Sequence, residues 1–252
     1  MRVVSISGIS GGVGGTTVAA QLSAYLVAHK QHVIALDLSP QNTFRLHFGM
    51  LWEDGNGIVP QIQSGKPWNE AAYHSECGVD FLPFGKASSQ DTAAFTARLV
   101  REPGWLKSRL QELDDANNEF VIIDCPQFGH PLCAEAFSAS ELIIIVLGPD
   151  TQSYASFTES RDQHPLLEGK NITYLLNGFD PTRALDRDIA QLLHATPNNH
   201  LCPIVIHRDE LVREALAHKL NLGDYAPYSQ TAGDFIALTT WTIATFAHMH
   251  PA

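Results

Sequence analysis

A glycine-rich turn joins the first strand-like run of this 252-residue sequence to the first helix-like run. Residues 8–17 read GISGGVGGTT, and a stretch rich in Ala, Leu and Val follows them. Glycines allow backbone conformations in which successive N–H groups point inward, and the N-terminus of the next helix adds the positive end of its dipole. The spacing predicts a phosphate-binding loop, with the hydroxyl of Thr16 where a Walker loop holds Mg²⁺.

This loop departs from the Walker pattern GxxxxGK[ST] at two positions. Ile9 replaces the first glycine, and Gly15 replaces the lysine that would reach the β and γ phosphates. The alternative interpretation of the loop by itself is a glycine-rich strand-to-helix turn that binds no ligand. Other segments of the chain therefore have to be weighed with it.

Four segments together resemble those of the MinD/ParA-type ATPases, which have a deviant Walker loop. Residues 10–17, SGGVGGTT, resemble the family's loop KGGVGKTT, with Ser10 and Gly15 in place of its two lysines. Three more segments agree in order and spacing with the family's switch, Walker-B-like and strand-end motifs: LDLSPQ at 36–41, IIDCP at 122–126 and LLN at 175–177. This agreement over nearly the whole chain favours a nucleotide-binding loop over an empty turn.

Two shorter features narrow the resemblance to one branch of that family. The missing lysines, LPFG at 82–85 and IHRDE at 206–210 resemble the BcsQ branch, which is associated with bacterial cellulose secretion. The resemblance implies ATP and Mg²⁺ as cofactors and a homodimer as the assembled state. It also implies small cytosolic or membrane-associated components of a cellulose secretion system as protein partners.

The resemblance also implies which residues hold the nucleotide and the metal ion. The nucleotide-binding set is Ser10, Gly11, Gly12, Val13, Gly14, Gly15, Thr16, Thr17, Asn177 and Arg208. The Mg²⁺ set is Thr16, Asp37 and Asp124, acting directly or through water. Both carboxylates end strand-like runs, and ligands of open α/β sheets gather at the carboxyl ends of strands.

Several of these residues have an ordinary structural alternative. Asp124 can cap the next turn, and Asn177-Gly178 is also a common turn dipeptide. Asp209 is a natural N-cap for the helix that follows it, which leaves Arg208 and His207 as the candidates for contact with the base or with a partner subunit. A side-chain amide such as that of Asn177 offers a purine edge both a donor and an acceptor.

Hydrolysis is expected to be weak or absent. Ser39 stands where the family has a second switch aspartate, and a hydroxyl does not act as a carboxylate base at neutral pH. Arg45 and Arg161 are candidates for the missing phosphate charge, although a solvated helix face is predicted for each of them. The charge can also come from another chain, and the residues leave ATP and GTP as alternatives.

The elements that must position these residues alternate between short β-branched runs and longer helical patterns. The predicted strands are 3–7, 32–38, 79–84, 120–124, 142–147, 172–176 and 204–206. The predicted helices are 16–30, 91–101, 104–116, 131–139, 153–162, 183–195, 209–220 and 230–248, and 52–74 is predicted as surface loop with a short helix. This order predicts one domain over 1–252, an α/β fold with a doubly wound, mainly parallel sheet and helices on both faces, like a P-loop NTPase.

Composition excludes several classes of protein. Sixteen Lys and Arg against 27 Asp and Glu give a formal charge of −11, so neither nucleic acid nor an anionic membrane is predicted as a partner. The four cysteines form no CxxC pair, which argues against a zinc knuckle or disulfide framework. No apolar run reaches the roughly 20 residues of a membrane span, and the chain start lacks a signal-peptide pattern. We therefore expect a cytoplasmic protein without direct membrane insertion.

Three functions are compatible with these features. The first is a nucleotide-dependent dimeric regulator with a degenerate loop, which the missing lysines favour over catalysis. The second is an enzyme, either a partition-type or a ligase-like ATPase on the same fold. The third is a scaffold that no longer binds nucleotide, which the retained loop glycines disfavour.

Overall fold

A twisted sheet lies at the centre of the computed structural model, which describes residues 1–113, 120–161 and 165–250. Its strands are β1 (Arg2–Gly8), β2 (Val33–Asp37), β3 (Tyr73–His74), β4 (Asp80–Leu82), β5 (Phe120–Asp124), β6 (Leu142–Leu147), β7 (Ile172–Phe179) and β8 (Leu201–His207). Within these residues the eight strands have the order β3-β4-β2-β5-β1-β6-β7-β8. Every neighbouring pair is parallel except β3 with β4. The predicted doubly wound, mainly parallel sheet is confirmed.

Helices cover both faces of the sheet. They are α1 (Gly15–Ala28), α2 (Ile58–Gln63), α3 (Ser89–Arg101), α4 (Trp105–Gln111), α5 (Pro131–Ala139), α6 (Thr151–Ser160), α7 (Ala184–Ala195), α8 (Leu211–Ala217), α9 (Leu222–Tyr225) and α10 (Gln230–Met249), with 3₁₀ turns at Phe44–Phe48, Trp68–Ala71 and Pro165–Leu167. The apolar side chains of α1 and α10 share one buried cluster, whereas those of α3 to α7 share the other. No helix in the described ranges is long and apolar enough to cross a membrane.

The central strand β1 explains why the glycine loop lies at the ligand edge of the sheet. Its side chains alternate between faces, so Val3 joins the cluster of α3 to α7 and Val4 joins the cluster of α1 and α10. β1 lies between β5 and β6, with β2 on one side and β7 on the other. The chain therefore crosses over in opposite directions from this strand, which places a crevice at its carboxyl end.

The predicted strands occur, and β7 and β8 extend furthest beyond their predicted bounds. β7 continues through Asn177 and Gly178 to Phe179, so the interpretation of Asn177-Gly178 as a turn between elements is wrong. A shift of register with β8 occurs at this point, and Gly178 has a positive φ of 74°. β8 begins at Leu201 and includes Pro203, because an edge strand tolerates a residue that has no N–H to donate.

Helix ends differ from the predictions by a few residues. α8 covers Leu211–Ala217, which is shorter than the predicted 209–220, because Lys219 takes a positive φ of 58° just after it. The last residues of two predicted helices lie outside the described residues. These are 114–116 of the predicted helix 104–116 and 162 of the predicted helix 153–162. The stretch 52–74 contains α2, a 3₁₀ turn and the two-residue strand β3, in agreement with loop and short helix except for that strand.

Arg45 is buried, so the expectation of a solvated helix face is wrong for this residue. Only 2% of its surface is exposed. Its guanidinium donates to four backbone carbonyls, those of Asn42 at 3.1 Å, Leu51 at 3.0 Å, Trp52 at 3.2 Å and Asp54 at 2.5 Å. A planar group with five N–H donors can satisfy several turn carbonyls at once, and this compensates for burial of the charge.

Candidate functional site

The glycine loop is held in an open, preorganised shape. Gly12 and Gly14 have φ values of 82° and 92°, in the left-handed region that favours glycine. The side-chain amide of Asn177 donates from Nδ2 to the carbonyl of Val13 at 2.7 Å. A Cβ atom on Gly14 would collide with that amide. Asn177 therefore supports the loop from β7, a role that its position in the sequence did not reveal.

The two positions that lack lysine are occupied differently. A Cβ atom on Gly15 would lie 2.9 Å from the backbone nitrogen of Gly8, so the start of α1 packs directly against the end of β1. The buried Ser10 hydroxyl lies 3.5 Å from the Ser153 hydroxyl, which in turn donates to Asp150 at 3.1 Å. Both positions make contacts within this chain, and neither brings a positive charge to the loop.

Two carboxylates lie beneath the loop on neighbouring strands. Asp37 and Asp124 are paired in register and are fully buried. One oxygen of Asp37 accepts the N–H of Ser39 at 2.8 Å, but its other oxygen and both oxygens of Asp124 have no hydrogen-bond partner within the described ranges. Burial and then the charge of Asp124 raise the pKa of Asp37 well above its ordinary value. Burial likewise raises the pKa of Asp124 to about 8, against a lowering effect of the nearby Thr16 hydroxyl.

Such orphaned oxygens fit a divalent cation. Mg²⁺ is held through oxygen ligands and keeps several waters, so it needs only one or two carboxylates with a hydroxyl. Thr16, Asp37 and Asp124 are the oxygen donors that the strand ends and the first turn of α1 bring together. The described residues contain no group of three or more His, Cys, Asp or Glu side chains that could hold a metal by themselves.

One cavity opens between the loop and the ends of β7 and β8, and we call it the β7-side cavity. Its volume is about 380 Å³. It is lined by Gly11, Gly12, Val13, Gly14, Thr17, Gly148, Pro149, Asp150, Asn177, Gly178, Ile206, His207, Arg208, Asp209, Glu210, Val212, Arg213 and Phe235. Asn177 and Arg208 from the predicted set are both here, together with four further charged side chains.

The walls of the β7-side cavity are fixed by capping contacts. Asp209 accepts the N–H of Leu211 at 3.0 Å, which agrees with its predicted capping role, although Glu210 is the residue next to α8. The Asp234 carboxylate accepts both the backbone N–H of His207 at 2.8 Å and its Nδ1–H at 2.9 Å. Arg208 is exposed and lines the β7-side cavity.

A second cavity lies on the other side of the loop, toward the ends of β2 and β5, and we call it the β5-side cavity. Its volume is about 340 Å³. It is lined by Gly8, Ser10, Gly11, Gly12, Val13, Gly14, Gly15, Thr16, Ser39, Pro40, Gln41, Cys125, Pro126, Gln127 and His130. In the described part of the chain, no lysine or arginine lines this cavity.

The other two candidate arginines do not supply the missing charge. Arg45 and Arg161 line neither cavity beside the loop. Arg161 donates to the carbonyl of Pro197 at 2.5 Å, at the far end of α6. A larger cavity of about 630 Å³ lies near β3 and α9, and it contains none of the predicted site residues.

The sequence interpretation missed His130 and Gln127, which line the β5-side cavity. His130 caps α5, and its Nδ1 accepts the N–H of Leu132 at 3.2 Å. The available signal was Pro131, because proline favours the first position of a helix and marks the residue before it as the cap. No sequence pattern indicated that this cap faces the glycine loop.

Comparisons with known proteins agree with the fold and identify the family. A sequence profile of the family described as "Cellulose biosynthesis protein BcsQ" matches residues 1–243. The BcsQ protein of Escherichia coli strain K12 is 27% identical over 251 residues, which cover 98% of this chain and 96% of that protein. The chromosome-partitioning ATPase Soj of Thermus thermophilus is 30% identical over 240 residues, which cover 92% and 91% of the two chains.

The same fold is found in a solved structure. The septum site-determining protein MinD of Pyrococcus horikoshii OT3, complexed with Mg-ADP, matches with a TM-score of 0.79 and 22% identity, covering 100% of this chain and 99% of that one. The fold is that of a MinD/ParA-type protein. The family match and the curated relatives place the chain more narrowly, and it belongs to the BcsQ family of cellulose biosynthesis proteins.

Proposed function

We propose that this protein is a nucleotide-dependent dimeric regulator that binds ATP with Mg²⁺ and hydrolyses it slowly or not at all. The observation that carries the proposal is a contrast at one loop. The loop retains its glycine conformations and its Asn177 support, while the β5-side cavity has no lysine or arginine in the described ranges. Such a site retains the means to bind phosphate and lacks the charge for phosphoryl transfer.

The proposed binding mode assigns the two cavities different parts of the nucleotide. The nucleoside occupies the β7-side cavity, where Asn177 and Arg208 lie, and the phosphates lie along the loop amides from Gly11 to Thr17. Thr16, Asp37 and Asp124 hold Mg²⁺, directly or through water. Support for the metal comes from the three carboxylate oxygens that lack a partner in the described part of the chain. An adenine nucleotide with Mg²⁺ is also the ligand named for the MinD structure of the same fold.

The proposed lack of efficient hydrolysis follows from transition-state charge. Rate acceleration requires groups that interact more strongly with the transition state than with bound ATP. Ser10, Gly15 and Ser39 replace the cationic and carboxylate groups expected at those positions, and Ser10 is already directed toward Ser153. This favours a regulator over a partition-type or ligase-like ATPase. The carboxylate oxygens that could hold Mg²⁺ likewise favour a regulator over a scaffold that binds no nucleotide.

The proposed biological setting is the cytoplasmic side of a bacterial cellulose synthesis and secretion system. Membership of the BcsQ family supports this role. Nucleotide binding would bring two copies together, and the dimer would present a surface to small cytosolic or membrane-associated protein partners. We propose that residues 1–252 form one nucleotide-binding domain that carries out this function.

Two measurements on the purified full chain test the proposal. Calorimetric titration with ATP, ADP and GTP in the presence of Mg²⁺ is expected to give saturable binding of ATP in the micromolar range or weaker. Light scattering at several protein concentrations is expected to give a higher mass with Mg-ATP than without it. A flat titration up to millimolar nucleotide on folded protein contradicts the binding, and an unchanged mass contradicts the dimer.

A matched pair of glycine variants connects binding to the loop. Gly14→Ala introduces a Cβ that collides with Asn177 and strains a positive φ, whereas Gly12→Ala has the same backbone strain with open space around its Cβ. The backbone strain of an alanine at such a φ costs about 1–2 kcal/mol. We expect Gly14→Ala to lose more ATP affinity than Gly12→Ala. Equal loss in both variants would show that the Asn177 support is irrelevant to binding.

A further inference from the structure

His130 is fixed beside the glycine loop by contacts on both sides of it in sequence. The segment that follows β5 is joined to β1, since the N–H of Phe128 donates to the carbonyl of Gly8 at 2.9 Å and the Ser7 hydroxyl donates to the carbonyl of Pro126 at 2.7 Å. α5 then begins at Pro131 with His130 as its cap. The imidazole therefore lines the β5-side cavity on a rigid support.

The capping contact determines which ring nitrogen carries the proton. Nδ1 accepts the N–H of Leu132 at 3.2 Å, so this nitrogen carries no proton. In a neutral imidazole one nitrogen accepts and the other donates, and the N–H must therefore be at Nε2. Burial lowers the pKa of His130, which favours the neutral ring that the cap requires. No described residue accepts a hydrogen bond from Nε2.

We propose that His130 donates a hydrogen bond from Nε2 to the terminal phosphate of a nucleoside triphosphate in the β5-side cavity. The inference deepens the proposed nucleotide binding and rests on it. His130 is a positioning and specificity residue here, because it distinguishes a triphosphate from a diphosphate. His130 partly replaces the lysine that is missing at position 15, and it offers a neutral donor where a lysine would offer a cation.

A neutral donor fits a site that binds without fast turnover. A hydrogen bond to a charged acceptor stabilises bound phosphate, but an uncharged ring does not supply the positive charge that a phosphoryl-transfer transition state attracts. A second polar side chain from the segment after β5, that of Gln127, is exposed, and its Oε1 lies 3.7 Å from where a Cβ on Gly11 would be. Gln127 lacks the capping contact that holds His130 in one orientation.

Three variants separate the Nε2 donor from the helix cap. Asn and Asp are both good capping residues, so His130→Asn keeps the cap and removes the ring donor, and His130→Asp keeps the cap and adds a negative charge. His130→Ala removes both the donor and the cap. Dissociation constants for Mg-ATP and Mg-ADP are measured for each variant and for the parent, together with thermal unfolding.

The expected pattern is a selective loss of triphosphate affinity. His130→Asn is expected to weaken Mg-ATP binding by roughly tenfold, with Mg-ADP affinity and the melting temperature close to those of the parent. His130→Asp is expected to lose more Mg-ATP affinity than His130→Asn, because its carboxylate repels phosphate. In ¹⁵N spectra of the parent, the His130 ring is expected to be neutral with its proton on Nε2, and Mg-ATP is expected to shift the Nε2 signal more than Mg-ADP does.

Two outcomes overturn the inference in distinguishable ways. If the parent binds Mg-ATP and His130→Asn retains the parent ratio of ATP to ADP affinity, the donor role is wrong while the proposed function stands. If the folded parent binds neither nucleotide, the proposed function fails and the role of His130 fails with it. A melting temperature that is lowered only in His130→Ala is the result expected from loss of the helix cap. The ratio of ATP to ADP affinity remains the test of the donor role.

Discussion

The two cavities beside the glycine loop share the loop as a common wall but differ in charge. The β7-side cavity is lined by two arginines, Arg208 and Arg213, and by three acidic side chains. The described lining of the β5-side cavity contains neither Lys, Arg, Asp nor Glu, and His130 is its titratable nitrogen base. The strand-end carboxylates Asp37 and Asp124 are buried and do not line this cavity.

Under the proposed function, this difference separates recognition from catalysis within one site. The side that would hold the base retains charged and amide groups, and the side that would hold the terminal phosphate has lost the groups that drive phosphoryl transfer. The loop between them is still preorganised by Gly12, Gly14 and Asn177. The proposed function is thus nucleotide binding that serves as a signal, with little or no hydrolysis.

The largest effect is expected at the buried carboxylates. The pKa of Asp124 is raised above its ordinary value to about 8, so without metal the folded protein binds this proton more tightly than the unfolded chain. The contribution of protonated Asp124 to the unfolding free energy is therefore fully present below about pH 4, and it is lost as the pH rises toward about 8. Asp124→Asn is expected to raise the unfolding free energy by on the order of 2–4 kcal/mol near pH 8 without Mg²⁺.

Thermal and denaturant unfolding from pH 5 to 8.5, with and without Mg²⁺, measure this effect. Asp209→Asn is the control in the β7-side cavity, because asparagine keeps the capping acceptor and the substitution is expected to leave the pH dependence unchanged. Mg²⁺ is expected to stabilise the parent and to have little effect on Asp124→Asn. A parent whose stability is independent of pH and Mg²⁺ would show that these carboxylates are not a strained metal site.

The next effect concerns the lysine position. Gly15→Lys and Gly15→Ala place the same Cβ near the backbone nitrogen of Gly8, so both have the same steric cost and only the lysine adds charge. A charge-assisted contact with phosphate contributes about 1.5–3 kcal/mol. We expect Gly15→Lys to bind Mg-ATP roughly ten- to a hundredfold more tightly than Gly15→Ala, without fast hydrolysis. Calorimetry that finds equal affinities would place the phosphates outside this loop.

The smallest effect is expected on the β7 side. Arg208 is exposed, and an exposed ionic contact contributes only about 0.2–1 kcal/mol. Arg208→Ala is therefore expected to weaken ATP and ADP binding by roughly two- to fivefold and to the same extent. Arg98→Ala on α3, which also removes an exposed arginine, is the control for net charge. A loss of affinity for ATP alone would indicate that Arg208 contacts the terminal phosphate. It would contradict the proposed division of the nucleotide between the two cavities.

The fold and the loop were predictable because their signals are local. Continuous apolar strands, the glycine run and the first helix follow one another directly, and β5, β6 and α5 agree with the predicted bounds. Asp37 and Asp124 could be placed together because parallel strands end at the same edge of the sheet. These inferences need only periodicity and strand order.

The remaining features depend on contacts between distant parts of the chain. Arg45 is buried because four turn carbonyls converge on it, which the local sequence TFRLHF at 43–48 does not indicate. Asn177 contacts Val13 across 164 positions of sequence, so its loop-supporting role is a tertiary property. The orientation of His130 likewise depends on the way α5 starts beside β1.

Binding without turnover is tested most directly by measuring affinity and phosphate release on one preparation of the parent protein. Calorimetry gives the dissociation constant for Mg-ATP, and phosphate release is then followed at saturating Mg-ATP beside the Gly14→Ala variant. We expect saturable binding by the parent and phosphate release no faster than in that loop variant. Phosphate release well above the variant, at the same ATP concentration, would contradict the regulator and require a catalytic charge from another residue or chain.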